Sequence, residues 1–165
     1  DRILVDGEML QLGNQDWTVL ITPGHHPGHV CLLSDAGLVA GDMVAGIGTI
    51  LIPPGTGDMD VYIEQLQRLQ QLNPHLMFPS HGPVIPLPNK TLAYYIKHRM
   101  ERHQRVLDAV ESGLATIPEI STEAYANTPD AHPGLAQDQT LAHLLSHERA
   151  GRVQQTNQGW IRGDD

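Results

Sequence analysis

Thr22-Pro23-Gly24-His25-His26-Pro27-Gly28-His29 is the stretch on which the fold prediction depends, because it holds three of the chain's ten histidines. Apolar runs at 17–21 and 30–33 flank it, and this pattern predicts a Pro- and Gly-rich loop between two strands. Neutral imidazole is the commonest protein metal ligand. A histidine on a loop held by strands is therefore a candidate metal ligand.

Two further polar segments follow short apolar runs in the same way. Gly41-Asp42 comes after the run 38–40, and Ser80-His81-Gly82 comes after the run 76–78. Strand ends in a layered α/β protein gather ligands into one site. We therefore expect the histidine loop, Asp42 and His81 to lie together.

The order Thr-Pro-Gly-His-x-Pro-Gly-His, Gly-Asp, His-Gly-Pro resembles the second half of a metallo-β-lactamase-fold hydrolase. Residues 41–49 and Tyr95-Ile96-Lys97-His98-Arg99 add a resemblance to the branch of lactamase-like hydrolases and endoribonucleases that carry a C-terminal winged helix. The resemblance implies an α/β fold. Residues 1–88 would be the C-terminal part of an α/β/β/α sandwich, and residues 89–165 a long helix with a winged-helix-like domain.

The family's most diagnostic motif, His-x-His-x-Asp-His, has no counterpart in this chain, because no histidine precedes His25. In the family this motif lies upstream of the segments quoted above and supplies most of the metal ligands. We therefore expect the chain to be a fragment that is inactive alone. We also expect it to self-associate or to pair with the upstream half.

The resemblance implies three metal ligands in this chain: His25, His81 and a bridging Asp42. Imidazole and carboxylate suit zinc, and a bridging carboxylate can hold two ions about 4 Å apart that lower the pKa of a bound water. Two Zn²⁺ are the expected cofactors, although Mn²⁺ or Fe²⁺ would accept the same ligands. His29 is expected to orient a neighbour rather than to bind metal, and His26 to face solvent.

Composition narrows the class of protein. The chain has 165 residues, 40% of them hydrophobic, and one cysteine, Cys31, so an internal disulfide framework is excluded and Cys31 is expected in the core. No run of membrane-spanning length appears, which favours a soluble, cytoplasmic protein without membrane contact. The net charge of −9 is concentrated in residues 1–88, which hold 9 acidic and 2 basic side chains. Such a surface is a poor match for nucleic acid.

The remaining patterns predict secondary structure. Strands are expected at 3–5, 9–12, 17–21, 30–33, 38–40 and 76–78. Asp58 would cap a helix ending at Leu72, and residues 83–88 would form a non-helical connector. A helix over 91–111 would be followed by a capping box at Thr116 and Glu119, a helix over 135–150 and a two-stranded wing at 153–161. This order is that of a winged helix.

Two sets of residues on the predicted helices each allow a purely structural and a functional interpretation. Lys97, Arg99, Arg102 and Arg105 would ordinarily form a solvated helix face, but they would also suit an RNA backbone. His143 and His147 are one helical turn apart, a spacing that can bind metal, but no third ligand lies nearby in the sequence.

These observations predict a metal-dependent hydrolase, in the intact protein, of an ester, a thioester, a lactone or a phosphodiester, with a small-molecule or RNA substrate. One alternative is a glyoxalase II-like thioesterase, since the histidine loop also resembles that family. The other is a winged-helix module that binds nucleic acid or protein. The third predicted helix carries only Arg149 near its end, which is weak for reading a DNA groove.

Overall fold

The computed structural model describes residues 2–163, and its first half is a five-stranded sheet in the order β1-β2-β3-β4-β5. The strands are β1 (Met9–Leu12), β2 (Gln15–Ile21), β3 (Val30–Ser34), β4 (Gly37–Gly41) and β5 (Met77–Pro79). Strands β1 to β4 pair antiparallel and β5 pairs parallel to β4. Strands β2, β4 and β5 therefore all end at the same edge of the sheet, and the three predicted ligand segments leave the sheet there.

The parallel pairing of β4 with β5 requires a crossover, and helix α1 (Met59–Gln71) provides it. Asp58 caps α1 as predicted, since its carboxylate accepts hydrogen bonds from the backbone N–H groups of Asp60 and Val61. The apolar face of α1 is buried against the sheet by Met59, Tyr62, Leu66 and Leu69. The crossover thus covers one face of the sheet.

The second half contains three helices and a hairpin in the predicted order: α2 (Pro88–Glu111), α3 (Ile117–Ala124), α4 (Pro133–Arg149), β6 (Val153–Thr156) and β7 (Gly159–Arg162). The capping box of Thr116 and Glu119 at the start of α3 is confirmed. Helix α2 begins earlier than predicted, because proline at the first helical position lacks only an N–H that would be unpaired there. Pro88 therefore belongs to the helix and not to the connector.

Two apolar cores lie side by side along α2. Leu92 and Tyr95, in its first half, pack into the core under the sheet, whereas Val106 and Val110 pack with α3, α4 and Trp160 of the hairpin. A single helix thus supports both cores, and the division at residue 88 stays a prediction. Cys31 is buried in the first core as expected. Within residues 2–163 no helix has both the length and the apolar character needed to cross a bilayer.

The predicted strand at residues 3–5 is wrong. Ile3 and Val5 are 90% and 61% exposed and belong to no strand. The backbone hydrogen bonds between β2 and the segment before β1 end at Val19, which bonds to Gly7 and Glu8. The N–H of Ile21, two residues further along β2, donates to the Asp6 carboxylate instead of to a backbone carbonyl. The Asp6 side chain therefore ends the ladder before Ile3 to Val5 can join it.

Candidate metal centre

His25, Asp42 and His81 follow β2, β4 and β5, and the structure brings their side chains together at the sheet edge. The Asp42 carboxylate lies between the two imidazoles. Its Oδ2 is 3.8 Å from His25 Nε2, and its Oδ1 is 3.4 Å from His81 Nε2. His81 is the most open of the three, with 72% of its side chain exposed. The three predicted ligands therefore converge on one solvent-accessible point.

A backbone carbonyl sets the orientation of the His25 ring. Its Nδ1 lies 2.7 Å from the carbonyl oxygen of Leu51, which can only accept, so Nδ1 carries the proton and donates. In the neutral ring Nε2 is then a lone pair that faces the Asp42 carboxylate. Metal-bound histidines commonly donate their other N–H to such a carbonyl. This tautomer is the one that a metal ligand needs.

One oxygen of the Asp42 carboxylate has no hydrogen-bond donor. Its Oδ1 is buried and accepts no hydrogen bond. A buried carboxylate oxygen without a donor is costly, because desolvation of the charge is not offset. The lone pair on His25 therefore faces Oδ2 of Asp42, and the unpartnered Oδ1 lies on the side of His81.

His29 acts on the backbone beside Asp42 rather than at the carboxylate. Its Nε2 accepts a 2.9 Å hydrogen bond from the N–H of Asp42, so Nδ1 carries the proton and donates to Thr22 Oγ1 at 2.8 Å. Burial lowers the pKa of His29, with a further contribution from His25, and this favours the neutral ring that these bonds require. Both ring nitrogens are occupied, in agreement with the predicted orienting role.

Two glycines allow the backbone to approach these groups closely. Gly41 has φ +53°, and a Cβ there would lie 2.5 Å from His29 Nε2. Gly24 has φ +130°, and a Cβ there would overlap the backbone of Tyr62 at the start of α1. The Gly24 carbonyl also accepts a hydrogen bond from Asp58, so the histidine loop is anchored to the cap of α1.

The donor set fits a divalent metal by its chemistry: one carboxylate between two imidazoles, with one ring in the required tautomer. Imidazole and carboxylate suit Zn²⁺ and are also accepted by manganese and iron. In residues 2–163, no group of three or more His, Cys, Asp or Glu side chains has the geometry to hold a metal ion. The ligand roles of His25, Asp42 and His81 therefore stay predictions.

The other predicted residues lie as follows. His26 is exposed, as expected, and its Nδ1 accepts from the Gly28 N–H at 3.1 Å. His98 stacks on Tyr94 with 5.9 Å between ring centroids, and burial lowers its pKa. Cys31 is no nucleophile, since burial raises the pKa of its thiol to about 11.

Four basic residues of α2 were expected to form either a solvated face or an RNA contact, and both interpretations are wrong for two of them. Arg99 and Arg102 are only 2% and 4% exposed, so they can neither form a solvated face nor contact an RNA backbone. Arg99 contacts Gln139 of α4, and Arg102 contacts the Ala124 carbonyl at the end of α3. Lys97 is exposed and pairs with Glu101 at 3.7 Å.

Sequence reasoning missed the side chains that hold the loop behind His25. Arg99 donates to the Ile50 carbonyl, and Gln139 contacts both the N–H and the carbonyl of Ile52, at 3.2 and 2.8 Å. Leu51, between them, presents its carbonyl to His25. The available signal was a glutamine at a core-facing position of the third predicted helix, but its partner lies 87 residues away.

Comparisons with known proteins show what this chain is similar to. A profile of the "Metallo-beta-lactamase superfamily" matches residues 2–81. A beta-lactamase-like protein 2 homolog from Drosophila melanogaster is 36% identical over 152 residues, or 85% of this chain and 50% of that protein. An atrochrysone carboxyl ACP thioesterase from Aspergillus fumigatus is 29% identical over 113 residues, or 67% of this chain and 35% of that protein.

The fold is also similar to that of solved structures. The crystal structure of a beta-lactamase domain protein from Burkholderia ambifaria is 25% identical and matches with a TM-score of 0.81, covering 98% of this chain and 52% of that one. The chain thus spans about half the length of the Drosophila relative and of this structure. The predicted α/β fold is confirmed, and the profile match includes His25, Asp42 and His81. Residues 2–81 therefore match a metallo-beta-lactamase superfamily domain.

Proposed function

We propose that this chain is part of a metal-dependent hydrolase, with His25, Asp42 and His81 as its metal ligands. The observation that carries the proposal is the Asp42 carboxylate between two imidazole Nε2 atoms, with one buried oxygen that accepts no hydrogen bond. A divalent cation at this point would satisfy that oxygen and the His25 lone pair together. The match of residues 2–81 to the superfamily profile and the 29% identity to a thioesterase support the same function.

Each residue has a distinct part in this proposal. His25 and His81, whose Nε2 atoms face the Asp42 carboxylate, would hold the metal together with Asp42. When bound, a divalent metal supplies a polarising charge for the scissile carbonyl or phosphoryl oxygen and activates a water. His29 keeps the Asp42 backbone in place, and the Leu51 carbonyl holds His25 in its ligating tautomer. Two zinc ions are the proposed cofactors.

We propose an ester or a thioester as the first substrate class. The Aspergillus relative is a thioesterase by name, and the acidic first half of the chain disfavours a polyanionic substrate. Lactones and phosphodiesters contain the same type of polarisable oxygen and belong in the same assay panel. A glyoxalase II-like thioesterase would also fall within this chemistry.

Little supports the alternative of a winged-helix binding module. Arg149, the basic residue near the end of α4, is paired with Asp58 and Asp60 at 3.0 and 2.6 Å. Arg99 and Arg102 are buried. The helix and hairpin order of a winged helix is present, but these contacts leave fewer cations for a phosphate backbone.

Calorimetric titration with zinc tests the ligand assignment. We expect the 165-residue chain to bind zinc weakly, because three ligands with Asp42 shared leave each of two ions only two protein ligands. His81→Ala and Asp42→Asn should weaken that binding by about tenfold or more. His26→Ala is the matched control, since His26 lies in the same loop as His25 but is exposed and should leave zinc binding unchanged.

Hydrolysis assays test the reaction. We expect no useful rate from the chain alone on thioesters, esters or a phosphodiester, and thioester hydrolysis from a longer protein that supplies the remaining ligands. Full activity from the chain alone, or zinc binding that is equal in the wild type and His81→Ala, would contradict the assignment.

A further inference from the structure

A cavity of about 220 Å³ lies between the segment that follows β4 and the helices of the second half. It is lined by Thr49 of that segment, His98, Arg99 and Arg102 of α2, Tyr125 at the end of α3 and Gln139 of α4, among others. His25, Asp42 and His81 are not among the residues that line it. The cavity is therefore separate from the candidate metal centre.

Two guanidinium groups line this cavity without a carboxylate partner. In the described part of the chain, the acidic side chains that form ion pairs contact other residues, and none contacts Arg99 or Arg102. Arg99 donates to Gln139 Oε1 at 2.7 Å and to the Ile50 carbonyl. All of its partners are therefore neutral.

Arg102 is held in the same manner. It donates to the Ala124 carbonyl and to Thr128 Oγ1 at 2.9 Å, and its guanidinium carbon lies 3.7 Å from the centre of the Tyr125 ring. The Nε of Arg99 and the Nε of Arg102 are both buried and make no hydrogen bond. Two buried cations, each with a free donor, thus border one cavity.

This arrangement is costly unless an anion offsets it. Arginine stays charged in proteins, and a buried charge without a counter-ion loses hydration that nothing of opposite sign replaces. Burial lowers the pKa of Arg102, with Arg105 and Arg99 acting in the same direction and Tyr125 in the opposite one. Carbonyl and hydroxyl partners reduce this cost but supply no negative charge.

We propose that this cavity is a binding site for a small oxyanion, a phosphate or a carboxylate group, held by Arg99 and Arg102. The guanidinium fork matches both groups in geometry and charge. A cavity of about 220 Å³ exceeds the volume of several water molecules at about 30 Å³ each, so a phosphate fits. Arg99 and Gln139 also hold the backbone of Ile50 and Ile52. The same two side chains would therefore contact both the bound anion and the loop behind His25.

Calorimetry on the chelator-treated 165-residue chain tests the proposal, with inorganic phosphate and acetate titrated separately at fixed ionic strength. We expect saturable binding of at least one of the two anions. The anion that binds more tightly shows whether the site prefers a phosphate or a carboxylate group. Arg102→Gln should weaken it at least tenfold. Arg105→Gln is the matched control, because Arg105 lies on the same helix but is exposed. His81→Ala should not change the affinity, which separates this cavity from the Asp42 site.

A second variant covers the case in which Arg102→Gln unfolds. Leu135 lines the cavity and is 51% exposed, so Leu135→Glu places a negative charge there without removing either arginine. It should weaken anion binding severalfold while the melting temperature stays near that of the wild type. Absence of saturable binding of both anions, equal binding by Arg105→Gln and Arg102→Gln, or loss of binding in His81→Ala would overturn the proposal.

Discussion

The Asp42 carboxylate owes its position to one close contact between Gly41 and His29. Gly41 adopts a left-handed conformation at the end of β4 and lies directly against the His29 ring, whose Nε2 then accepts from the Asp42 N–H. A side chain at position 41 would displace the ring. The Gly-Asp pair in the sequence is therefore a steric requirement as well as a turn signal.

Gly41→Ala tests this contact through stability. The left-handed backbone costs an alanine about 1–2 kcal/mol, and the overlap with His29 adds about 1–3 kcal/mol. We expect the free energy of unfolding, measured with denaturant, to fall by about 2–5 kcal/mol.

Gly48→Ala is the matched control for that variant. Gly48 has φ +84°, but a Cβ there would meet no atom within 4 Å, so only the backbone cost of about 1–2 kcal/mol applies. If both variants lose the same free energy of unfolding, a side chain at position 41 does not clash with His29 and the prediction is wrong.

At the scale of elements, α2 and α4 pack through three histidines. The rings of His103 and His147 stack with centroids 3.6 Å apart, and His143 Nδ1 lies 3.2 Å from His103 Nδ1. His147 Nε2 donates to the His103 carbonyl at 2.9 Å, so this nitrogen is not available to a metal. The (i, i+4) pair is therefore a packing feature in this structure.

Acid should destabilise the contact between these helices. Burial lowers the pKa of all three histidines, to about 4 for His103, so the folded state keeps them neutral. The stability they contribute is complete above the unfolded value of 6.5 and is lost as the pH falls from there towards about 4. The charged groups facing them are Asp60, Glu111, Arg99, Arg102 and Arg152.

Unfolding experiments across pH 6.5 to 4 test this prediction. Each proton bound only by the unfolded chain contributes a slope of about 1.4 kcal/mol per pH unit. His143→Gln removes one such group and keeps a hydrogen-bonding side chain, so its slope should be shallower than that of the wild type. His75→Gln, at an exposed position, is the control. A wild-type slope in His143→Gln would contradict the prediction.

At the scale of the whole molecule, the sheet has two apolar faces and α1 covers one of them. Leu20, Cys31 and Ala40 face the helices. The opposite face carries Trp17, Leu32, Val39 and Phe78, which are paired across neighbouring strands and only partly covered. Apolar faces of this kind are typical of a sheet that packs against another layer. We therefore propose self-association of the chain through this face.

Sedimentation over a range of concentrations tests that proposal. We expect a mean mass above the 18.1 kDa of one chain, rising with concentration. Val39→Lys places a charge on the open face and should return the mass to that of one chain. Ile161→Lys, on β7 and 44% exposed, is the control. A wild-type chain that is monomeric at every concentration would contradict the proposal.

The sequence by itself determined the local features. The histidine loop, the Gly-Asp turn, the Asp58 cap, the capping box at Thr116 and the order of helices and hairpin all follow from patterns within a few residues. Turn residues and caps act over such distances, so a single sequence is enough to place them. The family resemblance placed His25, Asp42 and His81 in one site, and the strand directions bring them together.

Only the tertiary structure decided which partners these residues have. The tautomer of His25 depends on the Leu51 carbonyl, and the burial of Arg99 and Arg102 depends on α3 and α4. His143 is kept neutral because it is buried between α4 and α2, which lowers its pKa. Periodicity shows which side of a helix is apolar, but charged residues on that side break the pattern and were assigned to solvent. The hydrogen bonds that hold these arginines join residues 22 to 49 positions apart, and local sequence patterns do not encode the chain paths that bring such residues together.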